Sequence, residues 1–351
     1  MFYREAGDFS TTYADDQQTF PIKFDRYRYY LVLFIAIVVV PFLINDYWVN
    51  SLLLPFLIYA IAALGLNILV GYCGQVSLGT GGFMAVGAYS CYKFMTGIDI
   101  WWGGELLFRL PEFNIFFSVI MGGIMTAMVG VLFGLPSLRI KGFYLAVATL
   151  AAQFFLVWLF NRVAWFYNYS ASGQISAPER DLFGVLITGP SVAPWAAYMF
   201  CLFFTIISAY AARNLTRGSA GRRWMAIRDM DIAAEIIGVN PLRAKLTAFA
   251  VSSFFIGISG ALFFSVYLGA VEVGEAFGIT KSFLVLFMII IGGLGSIFGS
   301  FAGAAFLVLL PVALKVVGVD WLGWPTDIVA HLQLVIVGLL IIVFLITEPH
   351  G

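Results

Sequence analysis

The sequence predicts an all-α polytopic bundle that crosses a membrane many times, and three observations carry that expectation. The chain of 351 residues is 62% hydrophobic, 17% aromatic and only 11% charged, where soluble domains carry about 25% charged residues. Its apolar residues fall in runs that match the roughly 20-residue helix needed to cross the hydrocarbon core. Its basic residues gather in few places, with seven of the nineteen Lys and Arg in the thirty-four residues from Arg213 to Leu246.

Residues 1–28 are polar and aromatic, with Asp15 and Asp16 among them. They lack the basic-then-apolar order of a cleaved signal, so a retained cytoplasmic tail is expected. Residues 29–351 then read as one transmembrane domain. Apolar runs lie near 29–46, 51–72, 77–96, 113–135, 142–161, 193–212, 247–270, 282–298, 300–317 and 328–346. About eight to ten spans are expected. The third and eighth runs are glycine-rich, and 282–317 reads either as one broken segment or as two short spans.

Short cytoplasmic loops accumulate Lys and Arg. With the N-terminus inside, thirteen of the nineteen basic residues fall on the inner side: Arg4, Lys23, Arg26, Arg28, Arg139, Lys141 and the seven in the 213–246 loop. Lys93, Arg109, Arg162, Arg180, Lys281 and Lys315 fall on the outer side or at outer helix ends. The polar stretch from Asn161 to Val192 is then an external loop with room for a short surface helix.

Several chemistries are disfavoured by what the chain lacks. Zero net charge gives no case for nucleic acid or a polyanion. Cys73, Cys91 and Cys201 lie in or beside apolar runs without metal-ligand spacing and read as packing residues. No GxxxxGK[ST] phosphate loop occurs, so no ATP site is expected in this chain. His331 is the one titratable group placed inside a span; a neutral histidine bonded between helices is the plainer reading, a proton relay the sharper one. Ion-driven carriers generally need a buried carboxylate, and none is evident. An embedded enzyme would need a clustered set such as HExxH or paired Asp, and the two histidines show no such spacing.

Polar groups inside apolar spans need partners or a wet cavity. Asn67, Gln75, Ser77 and Thr80 cluster around the glycine-rich 71–82 segment, and Thr149 and Gln153 share one face of the fifth span at i and i+4. As a group they are the expected pore lining; singly, each also fits ordinary interhelical packing. A second small-residue stretch runs from Gly292 to Ser300, and interrupted segments in two halves of a chain often mark a transporter's path. Glu272 and Glu275, just past the seventh span, read as a docking point for an external partner or as a solvated loop.

The 213–246 loop has helix-compatible composition from Ala220 to Ile237, with Gly238 as a natural stop and Pro241 beyond. At helical spacing Arg228, Asp231 and Glu235 share one stripe, and Ile227, Met230, Ala234 and Ile237 an adjacent one. That is the pattern of a docking helix; an interfacial helix lying on anionic lipid is the alternative.

The run from Gly221 to Asn240 (GRRWMAIRDMDIAAEIIGVN), continuing through Lys245–Leu262, resembles the coupling loop and next span of permease subunits of branched-chain amino acid ABC importers. Asn67–Gly79 (NILVGYCGQVSLG) and Ile291–Gly299 (IGGLGSIFG) match two further blocks in the right order. Two departures stand out. Ile232 replaces the leading Glu of the usual Glu-Ala-Ala-x-x-x-Gly loop motif, and the N-terminal tail and 161–192 have no clear counterpart. The resemblance implies a multi-pass subunit of the inner (cytoplasmic) membrane, paired with a second permease subunit, two cytoplasmic ATPase subunits that bind the ATP, and an extracytoplasmic solute-binding protein. It implies that Arg228, Asp231 and Glu235 make charged contacts with an ATPase, that Ala233 and Ala234 permit close approach, and that Gly238 ends the coupling helix. The cargo it implies is a branched-chain or other hydrophobic amino acid. Urea and short-chain amide importers use similar permeases and stay open as alternatives, with an ion-coupled carrier less favoured.

Overall fold

The computed structural model describes residues 23–43, 45–102, 105–137, 143–189 and 191–347. The chain divides at Asn45 into two compact units. In the first, α1 (Lys23–Phe34) continues through a π-helical turn, Ile35–Val39, into Val40–Leu43. Helix thus begins inside the stretch expected as a tail; residues 1–22 of that tail lie outside the described residues.

The second unit holds the bundle. In chain order its membrane helices are α2 (Asp46–Tyr72), α3 (Thr80–Thr96), α4 (Ile115–Ser137), α5 (Phe143–Arg162) and α6 (Pro194–Arg217). The cytoplasmic-type loop holds α7 (Ser219–Asp229) and α8 (Asp231–Ile236) and leads into α9 (Pro241–Leu262, prolonged by a π-helical turn to Leu268). The chain ends with α10 (Val273–Ala276), α11 (Ile279–Gly292), α12 (Ile297–Lys315, prolonged to Trp321) and α13 (Thr326–Thr347).

Among the described residues, seven helices are long and apolar enough to cross a membrane. To these α3 adds a 17-residue helix just under that length, and Tyr29–Leu43 and Thr326–Leu340 add two shorter apolar helices. Every expected run therefore has a helix, although boundaries moved. The 282–317 region is two helices parted at Gly293–Ser296, earlier than hydropathy placed the gap. Gly293 (φ 102°) and Gly295 (φ 77°) adopt backbone open to glycine, and the Ser296 hydroxyl caps α12 by accepting from Gly299 N at 3.0 Å.

The core lies where α2, α3 and α9 pack together, with α4 and α5 on one side and α6, α11 and α12 around α2. The most apolar window of α2 is 89% buried, against 28% for the Val273–Gly292 span. One surface of the α10–α12 region is thus left for lipid or another subunit. The α3–α9 crossing is close because Gly87 faces the Gly257 backbone, which a methyl on Gly87 would overlap, while a methyl on Gly257 would overlap the Thr126 hydroxyl of α4.

The helix ends sort into two layers. Tyr72, the end of α6, α7, α8 and the start of α9 share one end. The other end carries β1 (Ile98–Trp102) paired antiparallel with β2 (Glu105–Leu110), and a folded cap over 161–192. That cap is not the loop with a surface helix expected from sequence. It has a 3₁₀ turn (Ala164–Tyr167), β3 (Ile175–Ser176) paired with β6 (Ala270–Val271), and a hairpin of β4 (Arg180–Leu182) and β5 (Val185–Thr188). Polar contacts pin it to α3: the Lys93 ammonium donates to Asn168 Oδ1 and lies 4.0 Å from the Trp165 ring centroid, and Arg180 donates to Met95 O (2.7 Å) and pairs with Glu112.

Candidate translocation path and coupling surface

The two glycine-rich stretches singled out in the sequence meet in the structure. α2 stops at Tyr72, and Cys73–Gly79 is non-helical, with Gly74 at φ 70°. Against this break lies the second one, Gly293–Ser296. Asn67, 1% exposed, joins them: its Nδ2 donates to Ser296 O and to Ser300 Oγ, each at 2.8 Å, and its Oδ1 accepts from Gly295 N at 2.8 Å. One turn on, Gly71 has no room for a methyl, which would overlap both Asn67 Oδ1 and Gly295 N.

A second polar knot lies at the N-terminus of α3, whose first N–H groups have no partner within the helix. Gly81 N donates to Ser282 Oγ (2.8 Å) and Gly82 N to Gln153 Oε1. Gln153 also accepts from Ser282 Oγ (3.1 Å) and donates to Phe277 O (2.8 Å). Thr149 Oγ1 accepts from Leu78 N and donates to Ala146 O, both at 2.9 Å. Ser77 Oγ accepts weakly from Gly79 N at 3.4 Å. Thr80, fully buried at the first helical position, has a hydroxyl with no hydrogen-bond partner.

Five of the six residues expected to line a path thus sit in two buried knots that cap broken helices. Asn67 belongs to one; Ser77, Thr80, Thr149 and Gln153 belong to the other. Gln75 stands apart, half-buried: its backbone N–H donates to Leu69 O at 3.0 Å, and its side chain makes a marginal 3.5 Å contact to Cys73 O. Sequence reasoning passed over Ser282, Ser296 and Ser300. Their signal was position, since each flanks a glycine-rich or chain-breaking stretch.

The loop does not form one helix from Ala220 to Ile237. Met230 leaves helical geometry (φ −154°, ψ 100°), separating α7 from α8. Trp224 and Ile227 of α7 pack inward, with Trp224 Nε1 donating to Thr247 Oγ1 at 3.2 Å, and Ala234 of α8 is buried as well. The expected apolar stripe is consequently split: Ile227 and Ala234 face the bundle, while Met230 and Ile237 face out with Ile232 and Ile236, all four 68–81% exposed. Ala233 and Glu235 are also exposed, and Asp231 opens the first turn of α8. Gly238 (φ 90°) closes α8 in a Schellman turn, with Val239 N donating to Ala234 O (2.9 Å) and Gly238 N to Glu235 O (3.0 Å).

Arg228 points elsewhere than its stripe implied. Its Nη1 donates to Gly71 O at 2.9 Å and its Nε meets Asp229 Oδ1 at 3.0 Å. Its stem lies against Gly74, and the guanidinium lies beside Gly295. The last turn of α7 therefore touches both helix breaks.

The family model of the branched-chain amino acid transport system permease component matches residues 49–345, which include both breaks, the polar knots and the loop. The chain belongs to that family. The permease is 32% identical over 307 residues to the high-affinity branched-chain amino acid transport system permease protein LivM of Escherichia coli (strain K12), covering 81% of this chain and 68% of the relative. It is 22% identical over 332 residues to the probable branched-chain amino acid transport permease protein LivM of Methanocaldococcus jannaschii, covering 86% and 92%. It is 26% identical over 239 residues to the autoinducer 2 import system permease protein LsrC of Enterobacter sp. (strain 638), covering 67% and 64%. No solved structure matches the chain. Family and helices together make it a multi-pass inner-membrane permease.

An apolar cleft of about 760 Å³ between Phe117, Phe183, Trp195 and Phe203 lies at the opposite end of the permease from the loop. Its lining has no charged side chain and neither helix break, so the polar knots remain the better candidate for the path.

Proposed function

We propose that this permease is a membrane-spanning subunit of an ATP-driven ABC importer, and that it forms part of the path for branched-chain or other hydrophobic amino acids. The N-terminus and the 213–246 loop lie in the cytoplasm, where thirteen of the nineteen basic residues then fall. A second permease subunit covers the open side of α10–α12. Two ATPase subunits bind and hydrolyse ATP, and a solute-binding protein delivers cargo to the capped outer face, with Glu272 and Glu275 at its rim.

The observation that carries this reading is the Arg228–Gly71 contact. It connects the loop helices to both glycine breaks without an intervening element. α8 presents Met230, Ile232, Ala233, Glu235, Ile236 and Ile237 outward, a surface suited to a groove on an ATPase. When the ATPases close they push α8. α7 moves with it through the direct chain link at Met230, and Arg228 carries the displacement to Gly71 and Gly295. Asn67, Gln75, Ser77, Thr80, Thr149 and Gln153 then supply polar groups where the helices part. LivM relatives make amino acids the favoured cargo over urea or short amides.

The test is a tagged copy purified with its partners and reconstituted with binding protein. Ala233 is exposed, so Ala233→Trp leaves the permease fold intact but blocks a groove. Gly238→Pro removes a φ of 90° and an N–H donor at the end of α8. Both variants should insert normally and lose uptake at least tenfold, with ATP hydrolysis no longer tied to cargo. Normal uptake in both would refute the docking role of α8.

A further inference from the structure

Lys281 was expected at an outer helix end, but it is the ninth residue of the twenty-residue Val273–Gly292 span. Its depth follows from its partner. Lys281 Nζ donates to the Tyr59 hydroxyl at 3.0 Å, and Tyr59 stands thirteen residues from each end of the 27-residue α2. At 1.5 Å per residue that is about 20 Å from either end, so the ammonium is bonded to a side chain from the middle of a membrane-length helix.

Its surroundings are aromatic and uncharged. Nζ is 5.3 Å from the Phe263 ring centroid and 5.7 Å from that of Tyr59, and Tyr267 packs on Phe263 at 5.4 Å. Among the described residues no carboxylate pairs with it; the ion pairs there are Arg109–Asp99, Arg180–Glu112 and Arg228–Asp229. An ammonium has three donors, and the Tyr59 hydroxyl takes one. Ring faces attract the cation without neutralising it. Lys281 also lies in the first turn of α11, where the helix dipole is itself positive, so the two potentials add. Intramembrane charges of this kind pair with one another or mark a substrate pathway, and here the missing half of the pair is an anion.

We propose that Lys281 receives the carboxylate of the transported solute, with Tyr59, Phe263 and Tyr267 forming the wall for its apolar side chain. This rests on the amino-acid reading above and sharpens it: the carboxylate is recognised inside the membrane, a group that urea and simple amides lack. A single lysine suits passage better than a trap. Its rotatable donors hold an anion as a point charge, without the planar two-point grip of arginine.

The test uses the purified transporter with its second permease and ATPases in nanodiscs, without binding protein. Radiolabelled leucine and leucinamide are titrated onto wild type, Lys281→Gln, Lys281→Arg and Tyr59→Phe. Wild type should prefer leucine at least tenfold. Lys281→Gln should lose that preference while its leucinamide binding stays the same, Lys281→Arg should keep leucine affinity within threefold, and Tyr59→Phe should fall between. Uptake with saturating loaded binding protein should fall in parallel for Lys281→Gln. Unchanged leucine binding in Lys281→Gln overturns the proposal while leaving the amino-acid permease intact. Loss of the second permease from the Lys281→Gln complex also overturns it, because the counter-charge then belongs to that subunit. A wild-type complex that imports another solute and no amino acid overturns both readings.

Discussion

Replacing Asn67 by Ala tests whether the two helix breaks are held together by side-chain hydrogen bonds or merely lie in contact. Asn67 makes three bonds of 2.8 Å, to Ser296 O, Ser300 Oγ and Gly295 N. They are not equivalent once the amide is gone. Ser296 O keeps Ser300 N (3.1 Å) and Ser300 Oγ (3.2 Å) as donors, so it stays satisfied. Gly295 N–H loses its partner. Interhelical bonds in membrane proteins average about 0.6 kcal/mol each and reach about 1.7, while a buried orphaned donor costs about 1–3 kcal/mol. Two ordinary losses plus one orphan come to about 2–4 kcal/mol. Ser300→Ala leaves Asn67 Nδ2 bonded to Ser296 O but strips the acceptor from its second N–H, so it should cost about 1–2 kcal/mol, less than Asn67→Ala. Reversible unfolding of the permease in mixed detergent–SDS micelles gives both values, and the double variant gives their coupling. If Asn67→Ala unfolds within about 0.5 kcal/mol of wild type, inside the scatter of ordinary surface changes, Asn67 does not tie the breaks together.

Two further outcomes follow from the coupling end. Burial pushes the Cys73 thiol up to about 12, with Lys245 only partly offsetting it; the thiolate is the nucleophile, so this group stays protonated through neutral pH and reacts only as pH rises towards that value. In a variant keeping only Cys73, maleimide labelling should be slow at pH 7, rise about tenfold per pH unit without levelling off by pH 9, and speed up when an ATP analogue closes the ATPases; fast labelling at pH 7 that levels off by pH 9 would contradict the burial. Trp224→Ala removes a side chain 1% exposed and its bond to Thr247, which for a core tryptophan costs about 3 kcal/mol. Tryptic cleavage at Arg222 and Arg223 should then rise about a hundredfold, and an unchanged rate would mean that α7 is held by something else.

Much of this was legible in the sequence because hydropathy and glycine act locally. Bilayer-length runs located every membrane helix, and the glycines at 71–82 and 292–300 marked both breaks. What escaped depended on tertiary context. The apolar run appeared to begin at Ser282 because Lys281 interrupts it, and only the pairing with Tyr59 places that lysine beside the middle of α2. The β1–β2 hairpin carried a readable sign: Ile98, Ile100 and Trp102 alternate, as do Leu106, Phe108 and Leu110, across a Gly103-Gly104 pair. In a chain this apolar the alternation was masked by its neighbours. Helix propensity favours continuity from Ala220 to Ile237, and the chain nevertheless leaves helical geometry at Met230.

The break at Met230 is mechanically useful. One continuous helix would carry the stripe of Arg228, Asp231 and Glu235 beside a single apolar stripe on one rigid rod. Breaking at Met230 assigns the two faces to two short helices. α7 is anchored inward through Trp224 and reaches Gly71 with Arg228, while α8 turns Ala233, Ile236 and Ile237 outward. A push on α8 therefore arrives at a guanidinium seated on two glycine-broken segments. Those segments yield more readily than intact helix, because the backbone there has few internal bonds to lose and is held instead by Asn67 and the α3 knot. On the proposed coupling, force from a neighbouring ATPase would thus be delivered where the bundle resists least.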